Sequence, residues 1–169
     1  RDDRHDPPRR LTRVVYHKPG RRRPQAVRRG LNDRDGHTAH LDLSADGRRQ
    51  YFSRCSFVSD VRISCELWYR DRRDRRRWHR PRKLGKLINL EGYTHTQPAA
   101  GHDSTTGKDI LFFVSDRPGG AGGLDIWYAV LEKDGNFSPP QNLKQINTPQ
   151  DEVTPFFHTP TQTLYFSSD

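Results

Sequence analysis

An all-β chain of four-stranded antiparallel sheets is the fold class that the sequence predicts, and three observations predict it. The first is an internal repeat. Thr38, Thr96 and Thr154 recur at intervals of 58 residues, and Glu66-Leu67-Trp68-Tyr69 matches Asp125-Ile126-Trp127-Tyr128 at an offset of 59. Trp78 and Phe137, Pro81 and Pro140, and Leu84 and Leu143 follow at 59, and Ile88-Asn89 meets Ile146-Asn147 at 58. A fixed period of tens of residues implies stacked structural units. The second observation is the form of the apolar runs. "QYFS", "ILFFVS", "LDIWYAV" and "TLYFSS" are short, rich in aromatic and β-branched residues, and bounded by turn formers, which is strand and not helix patterning. The third is turn chemistry. Asp46-Gly47 and Asp134-Gly135 are two-residue hairpin signals, because Asp and Gly tolerate the left-handed backbone of such turns.

Along the chain, "VVYHKP", "PQAV" and "LND" between 14 and 33, with Tyr16, Gln25 and Asn32, resemble the tail of a unit, so residues 1–36 are expected to end an incomplete blade. Residues 37–95 and 96–153 are expected to form two complete blades. Residues 154–169 start a further one, since "LYFSSD" at 164–169 matches "LFFVSD" at 111–116. Four antiparallel strands repeated in series describe a β-propeller. A unit of about 58 residues exceeds the usual solenoid coil but fits a blade of roughly 40 to 45 residues with longer loops. Two whole units and two partial ones fall short of a closed ring and the chain contains no Met, so the intact protein is expected to be longer.

Composition narrows the function classes. With 31% hydrophobic and 30% charged residues and a mean hydropathy of -1.05, the apolar share is too small for a compact helical enzyme. No apolar stretch approaches the roughly 20 residues of a membrane-spanning helix. The net charge of +9 is uneven: residues 1–90 carry 26 Lys and Arg against 11 Asp and Glu, and residues 91–169 carry 4 against 10. A basic half of this kind marks either an anionic partner or an Arg-rich solvated surface.

The stretch "SDRPGGAGGLDIWYA" at 115–129 concentrates backbone freedom, yet Asp125 stands where a dinucleotide fingerprint needs its third Gly, and no Lys-Ser/Thr follows. Strands flank it, so no helix N-terminus faces a phosphate. The expectation is a loop between blade strands in which Asp116 and Asp125 accept backbone N–H bonds and Arg117 pairs with a carboxylate. A ligand or cation site on Asp116, Arg117, Asp125 and Glu66, the counterpart of Asp125, is the other reading. Cys55 and Cys65 flank the matching loop of the first unit, at the ends of strands that the fold brings together. They either form a disulfide that clamps this loop or stay as free thiols in a reducing cytosol. No C-x-x-C or His pair completes a zinc site.

"NDRDGHTAHLD" offers Asp33, Asp35, Gly36 and Asp42 to a calcium loop, but Leu31 occupies the first ligand position, and recurring Asn32, Asn89 and Asn147 read as turn formers. No HExxH and no G-x-S-x-G is present, and neither a catalytic residue nor a cofactor or metal site is expected. In "RDRRDRRRWHRP", Arg72, Arg73, Arg75, Arg76 and Arg77 form a basic hairpin with Arg75-Arg76 where Asp134-Gly135 makes the tight turn, so a wider or mobile turn is expected. Trp78 aligns with Phe137, a position expected to be buried, which disfavours nucleic-acid binding by base stacking.

The pieces "SDRPGG", "GGLDIWYA", "INTPQDEVTPFF" and "LYFSSD" resemble the WD40-like PD40 repeats of bacterial envelope proteins, similar to the TolB propeller. The resemblance covers residues 96–169 closely and 37–95 more loosely, where Cys55 stands in place of Asp116 and Asp169. It implies a non-enzymatic binding or assembly scaffold of the cell envelope, periplasmic and associated with the outer membrane. Such relatives are often fused to a peptidoglycan-binding OmpA-like domain. The implied partners are envelope proteins or an anionic, peptidoglycan-associated glycan. The alternative is the propeller domain of a prolyl-oligopeptidase-type serine peptidase with its catalytic domain encoded elsewhere.

Overall fold

Side chains alternate between the two faces of a strand, and Ile110 to Val114 are all buried, so this segment must be covered on both sides. That requirement organises the molecule. A computed structural model describes residues 14–16, 37–59 and 62–169. The first four-stranded antiparallel sheet holds β2 (His37–Leu43), β3 (Arg49–Ser59), β4 (Arg62–Asp71) and β5 (Arg82–Lys83) after a short β1 (Val14–Tyr16). The second holds β6 (His95–Asp103), β7 (Lys108–Ser115), β8 (Asp125–Val130) and β9 (Gln141–Asn142) in the same up-and-down order. β10 (Glu152–His158) and β11 (Thr163–Ser168) begin a third sheet, joined by a 3-10 turn at Thr159–Thr161. β1 pairs with β11 in parallel. The remainder of the unit tail expected over residues 1–36 lies outside the described residues.

The first strand β6 adjoins β2 on one side and β10 on the other, as successive blades do around an axis. On one face of the second sheet Leu111, Phe113, Trp127 and Ala129 pack against Tyr51, Leu67, Leu84 and Ile88 of the first. On the other, Phe112, Val114, Ile126, Tyr128 and Val130 meet Phe157, Leu164 and Phe166 of the third. The chain is therefore all-β, in four-stranded antiparallel blades.

Each first strand is bulged at the same place, with two residues opposing one between Thr38 and Leu41, between Thr96 and Ala99, and between Val153 and Phe156. Gln97 (φ 51°) and Thr154 (φ 55°) take left-handed backbone in their bulges, each followed by a proline. A proline fits there because the ladder bond it cannot donate is already interrupted. The structural partner of Thr154 is thus Gln97, and the second repeat step is 57 residues, not the 58 that aligning Thr96 with Thr154 suggests. The two bulges are also tied together: Thr154 N–H donates to Gln97 Oε1 at 2.5 Å. One strand earlier, Ala100 N–H donates to Asp42 Oδ2 at 2.8 Å. Asp42 also accepts its neighbour's N–H from Leu43, so its carboxylate serves the backbone, and burial raises its pKa.

The recurring asparagines do more than turn the chain. Asn89 Oδ1 accepts the Leu67 N–H at 2.7 Å and its Nδ2 donates to the carbonyls of Leu67 and Leu84. Asn147 repeats this on Ile126, accepting N–H at 3.0 Å and donating to C=O at 2.8 Å. The fourth strands are only two residues long, so each Asn side chain extends the ladder beyond them and satisfies buried backbone groups that would otherwise lack partners.

Candidate functional site

The glycine loop from Asp116 to Leu124 links β7 to β8, and its polar residues converge on backbone groups. Asp125 is 1% exposed, and its carboxylate accepts N–H bonds from Ala121 at 3.0 Å and Gly122 at 3.3 Å. Asp116 accepts the Thr94 N–H at 2.6 Å, which fastens the loop to the approach of β6. Leu124 N–H donates to Asp151 at 2.8 Å, and Glu152 N–H donates back to Leu124 C=O at 2.7 Å. The loop lies so close to residues 148–151 that a Cβ on Gly122 would sit 2.1 Å from the carbonyl oxygen of Gln150. Glycine is required here by the approach of one backbone to another.

Arg117 departs from the expected carboxylate pairing. Its guanidinium enters the joint between the sheets and donates to the Leu87 carbonyl at 3.2 Å and to the Ile88 carbonyl. It lies 5.1 Å from the ring centre of Phe113 and 5.3 Å from that of Trp127. The turn that ends the first sheet leaves these carbonyls facing the joint, and a planar cation bonds them while stacking on aromatic rings. Burial lowers its pKa to about 10, so it stays charged at neutral pH.

His95, which belongs to no catalytic or metal-binding sequence motif, completes this joint. Fully buried, it contacts the Leu90 carbonyl through Nε2 at 3.0 Å and Ser115 Oγ through Nδ1 at 2.9 Å. Burial, reinforced by the nearby Arg117 charge, pulls its pKa down to about 4. A neutral ring facing a carbonyl carries its proton on Nε2 and accepts at Nδ1. Glu152 takes the same place in the third sheet, 57 residues later, and accepts from Thr148 N–H at 2.8 Å and from the hydroxyls of Thr148 and Ser168. His donating to a carbonyl and Glu accepting from an amide and hydroxyls are two solutions to anchoring one loop. The recurrence of His37 and His95 at 58 was the available signal, and the His-to-Glu exchange concealed the third copy.

Asp116, Arg117 and Asp125 are therefore together, but Asp116 and Arg117 are engaged in joining segments of the fold and Asp125 in closing its own loop. Glu66 lies on the first sheet, where it pairs with Lys83 across the β4–β5 edge. Among the described residues no cluster of three His, Cys, Asp or Glu side chains is placed to hold a metal ion. Asp33, Asp35 and Gly36 of the considered calcium loop lie outside the described residues.

The first sheet handles the matching region differently. Cys55 and Cys65 are directly opposed on β3 and β4 with Cα atoms 4.0 Å apart, and their sulfurs are bonded. The expected loop between them is a continued hairpin, with Ser56 opposite Ser64 and Phe57 opposite Ile63. Without glycine in β3 or β4, and with Phe57, Val58 and Ile63 favouring extended backbone, the ladder runs on past the disulfide. The disulfide is a cross-strand staple within a ladder, and not a loop clamp.

The arginine hairpin keeps the length of its counterpart but turns by other means. Arg73 N–H bonds Arg77 C=O as Glu132 N–H bonds Asn136 C=O. In the second sheet Gly135 provides the left-handed residue at φ 84°. In the first, no residue from Arg72 to Arg77 has left-handed backbone, and Asp74 Oδ1 accepts the N–H groups of Arg76 and Arg77 at 2.9 and 3.0 Å. The turn expected to be wider or mobile is closed by a carboxylate. Trp78, expected to be buried, is half-buried, with Arg70 and Arg72 at 5.1 and 4.8 Å from its ring. Tyr69 likewise carries Arg49 and Arg82, both of which also bond Asp71.

No protein-family model matches the chain, and no curated protein matches it. Among solved structures it is similar to the Hadza microbial sialidase Hz136, with a TM-score of 0.48 and 14% sequence identity over 73% of this chain. The chain spans 30% of that sialidase chain.

Proposed function

We propose that the chain is a PD40-type, TolB-like module serving as a non-enzymatic binding or assembly scaffold of the bacterial cell envelope, in the periplasm and associated with the outer membrane. The observation that carries this reading is that the polar residues of the glycine loop are consumed inside the fold, Arg117 in joining the second blade to the first, Asp116 in fastening the loop to the approach of β6 and Asp125 in closing the loop itself. Asp116, Arg117 and Asp125 each bond backbone of another segment or of their own loop, which is the use expected of a rigid scaffold. The Cys55–Cys65 disulfide supports an oxidising compartment, because cytosolic thiols are held reduced. The charged face for a partner is the first sheet, with its exposed arginines between Arg72 and Arg77.

Fractionation and crosslinking of the tagged full-length protein in its native host test this. The expected result is periplasmic or outer-membrane recovery, a Cys55–Cys65 disulfide in peptide maps, and crosslinks to envelope components. Recovery in the cytosol with both thiols free would overturn it. A serine-hydrolase probe labelling the intact protein would favour the peptidase-propeller alternative instead.

A further inference from the structure

We propose that the hairpin from Arg72 to Lys83 is the docking surface for a polyanionic glycan, a chain of sugar units bearing carboxylate or sulfate groups. The proposal rests on the binding-module reading above and names the partner class. Residues 72–83 hold seven Arg and one Lys against a single carboxylate, Asp74. The described ion pairs of this stretch are Arg77 with Asp74 at 2.8 Å, Arg82 with Asp71 at 3.0 Å, and Lys83 with Glu66. Arg73, Arg75, Arg76 and Arg80 are exposed and have no ion-pair partner among the described residues.

Order distinguishes this surface from a solvated charge run. Asp74 fixes the turn through two backbone N–H bonds, the Arg72–Trp78 bridge closes its base, and His79 N–H bonds Asp71 C=O. The guanidinium groups therefore project from a backbone that is already ordered, which reduces the entropy lost on binding. Each fork of donors matches a carboxylate or sulfate with two parallel bonds. At the Lys83 end of this stretch, a cleft of about 220 Å³ is lined by Arg49, Tyr69, Lys83, Lys86 and Phe137, among others. Lys86 on this cleft adds an exposed cation for an anionic sugar unit.

The same geometry argues against other polyanions. Single-stranded nucleic acid gains much of its grip from bases stacking on aromatic side chains beside the phosphate contacts, and the Trp78 ring is already taken by Arg70 and Arg72. A bilayer is gripped most firmly where apolar side chains insert beside the charges, and residues 72–77 are Arg and Asp alone.

The test measures affinities of the full-length protein for polygalacturonate, dextran sulfate, single-stranded DNA and phosphatidylglycerol vesicles at about 0.15 M salt, where long-range effects of net charge are largely screened. The first two probes separate carboxylate from sulfate recognition. The triple variant Arg73→Ser/Arg75→Ser/Arg76→Ser is expected to lose at least about ten-fold in affinity for one glycan, with a shallower salt dependence. Lys108→Ser/Lys133→Ser/Lys144→Ser, which removes the same charge from the second sheet, is expected to stay within about two-fold. Modification of Arg75 and Arg76 by phenylglyoxal, expected to be slowed by the bound glycan, tests the contact without a variant.

Equal losses in the two variants, tighter binding of DNA or vesicles than of both glycans, absence of glycan binding, or unprotected arginines would each overturn the proposal. Persisting envelope crosslinks would then leave the scaffold reading standing, whereas cytosolic recovery would remove both.

Discussion

Replacing Asn147 with alanine tests the claim that one amide finishes the edge of a strand. Ile126 is fully buried, and its N–H donates to Asn147 Oδ1 at 3.0 Å. The amide nitrogen in turn donates to Ile126 C=O at 2.8 Å and to Asn142 Oδ1 at 3.0 Å. After truncation, Ile126 C=O keeps the Leu143 N–H at 3.2 Å, but its own N–H loses this acceptor inside the core. An unpaired buried donor costs about 1–3 kcal/mol, and each of the other two bonds contributes on the order of 1 kcal/mol. The expected destabilisation is therefore about 3–5 kcal/mol. Equilibrium urea unfolding followed by tryptophan fluorescence measures it as a lower midpoint at unchanged slope. Asn89→Ala should behave alike, since Asn89 makes the same bonds to Leu67. Asn136→Ala, on an exposed turn, is the control and should stay within about 0.5 kcal/mol. If Asn147→Ala also falls within that margin, the amide is dispensable and the strand-edge account is wrong.

His95 supplies a pH signature. Its folded pKa of about 4 lies below the ordinary 6.5, so the unfolded chain takes up the proton first. Stability linked to it is present above pH 6.5 and is lost as pH falls towards 4, by on the order of 3 kcal/mol at about 1.4 kcal/mol per pKa unit. His95→Gln should flatten this part of the stability profile, and an unchanged slope between pH 6.5 and 4 would contradict the neutral buried ring. Gly122→Ala places a methyl against the Gln150 carbonyl oxygen at 2.1 Å; a loss of more than about 2 kcal/mol is expected, while Gly135→Ala, with open space around it, should show only the backbone cost of about 1 kcal/mol. Reducing the Cys55–Cys65 bond, which spans 10 residues, should cost about 3 kcal/mol by the loop-entropy relation, read as a shift of the urea midpoint with and without dithiothreitol.

The repeat and the strand pattern were legible because they are local. A run such as Ile110 to Val114 announces a strand covered on both faces, and Asp134-Gly135 announces its turn wherever the rest of the chain lies. The glycine loop was legible as a turn, and Asp116 and Asp125 do accept backbone N–H bonds. Its links to other segments were not legible. Gly122 is needed because the 148–151 segment passes against it, and that neighbour is 28 residues away in the chain. Likewise the one-residue slip of the repeat at Thr154 arises in the connection before β10, where four residues separate Asn147 from Glu152 against five between Asn89 and His95, and the matching bulges of the paired strands show it.

By itself the sequence determined the all-β class, the four-strand unit, its near-58-residue period and the placing of Cys55 and Cys65 on adjacent strands, because side-chain alternation and turn preference act over a few residues. The tertiary structure decided what the charged and polar residues do. Arg117 became a strut between sheets and His95 a neutral anchor, because desolvated groups take whichever partners the packing brings near. The arginines from Arg73 to Arg76 stayed exposed because the hairpin carries them beyond the edge of the sheet, where no other described segment reaches them with a carboxylate.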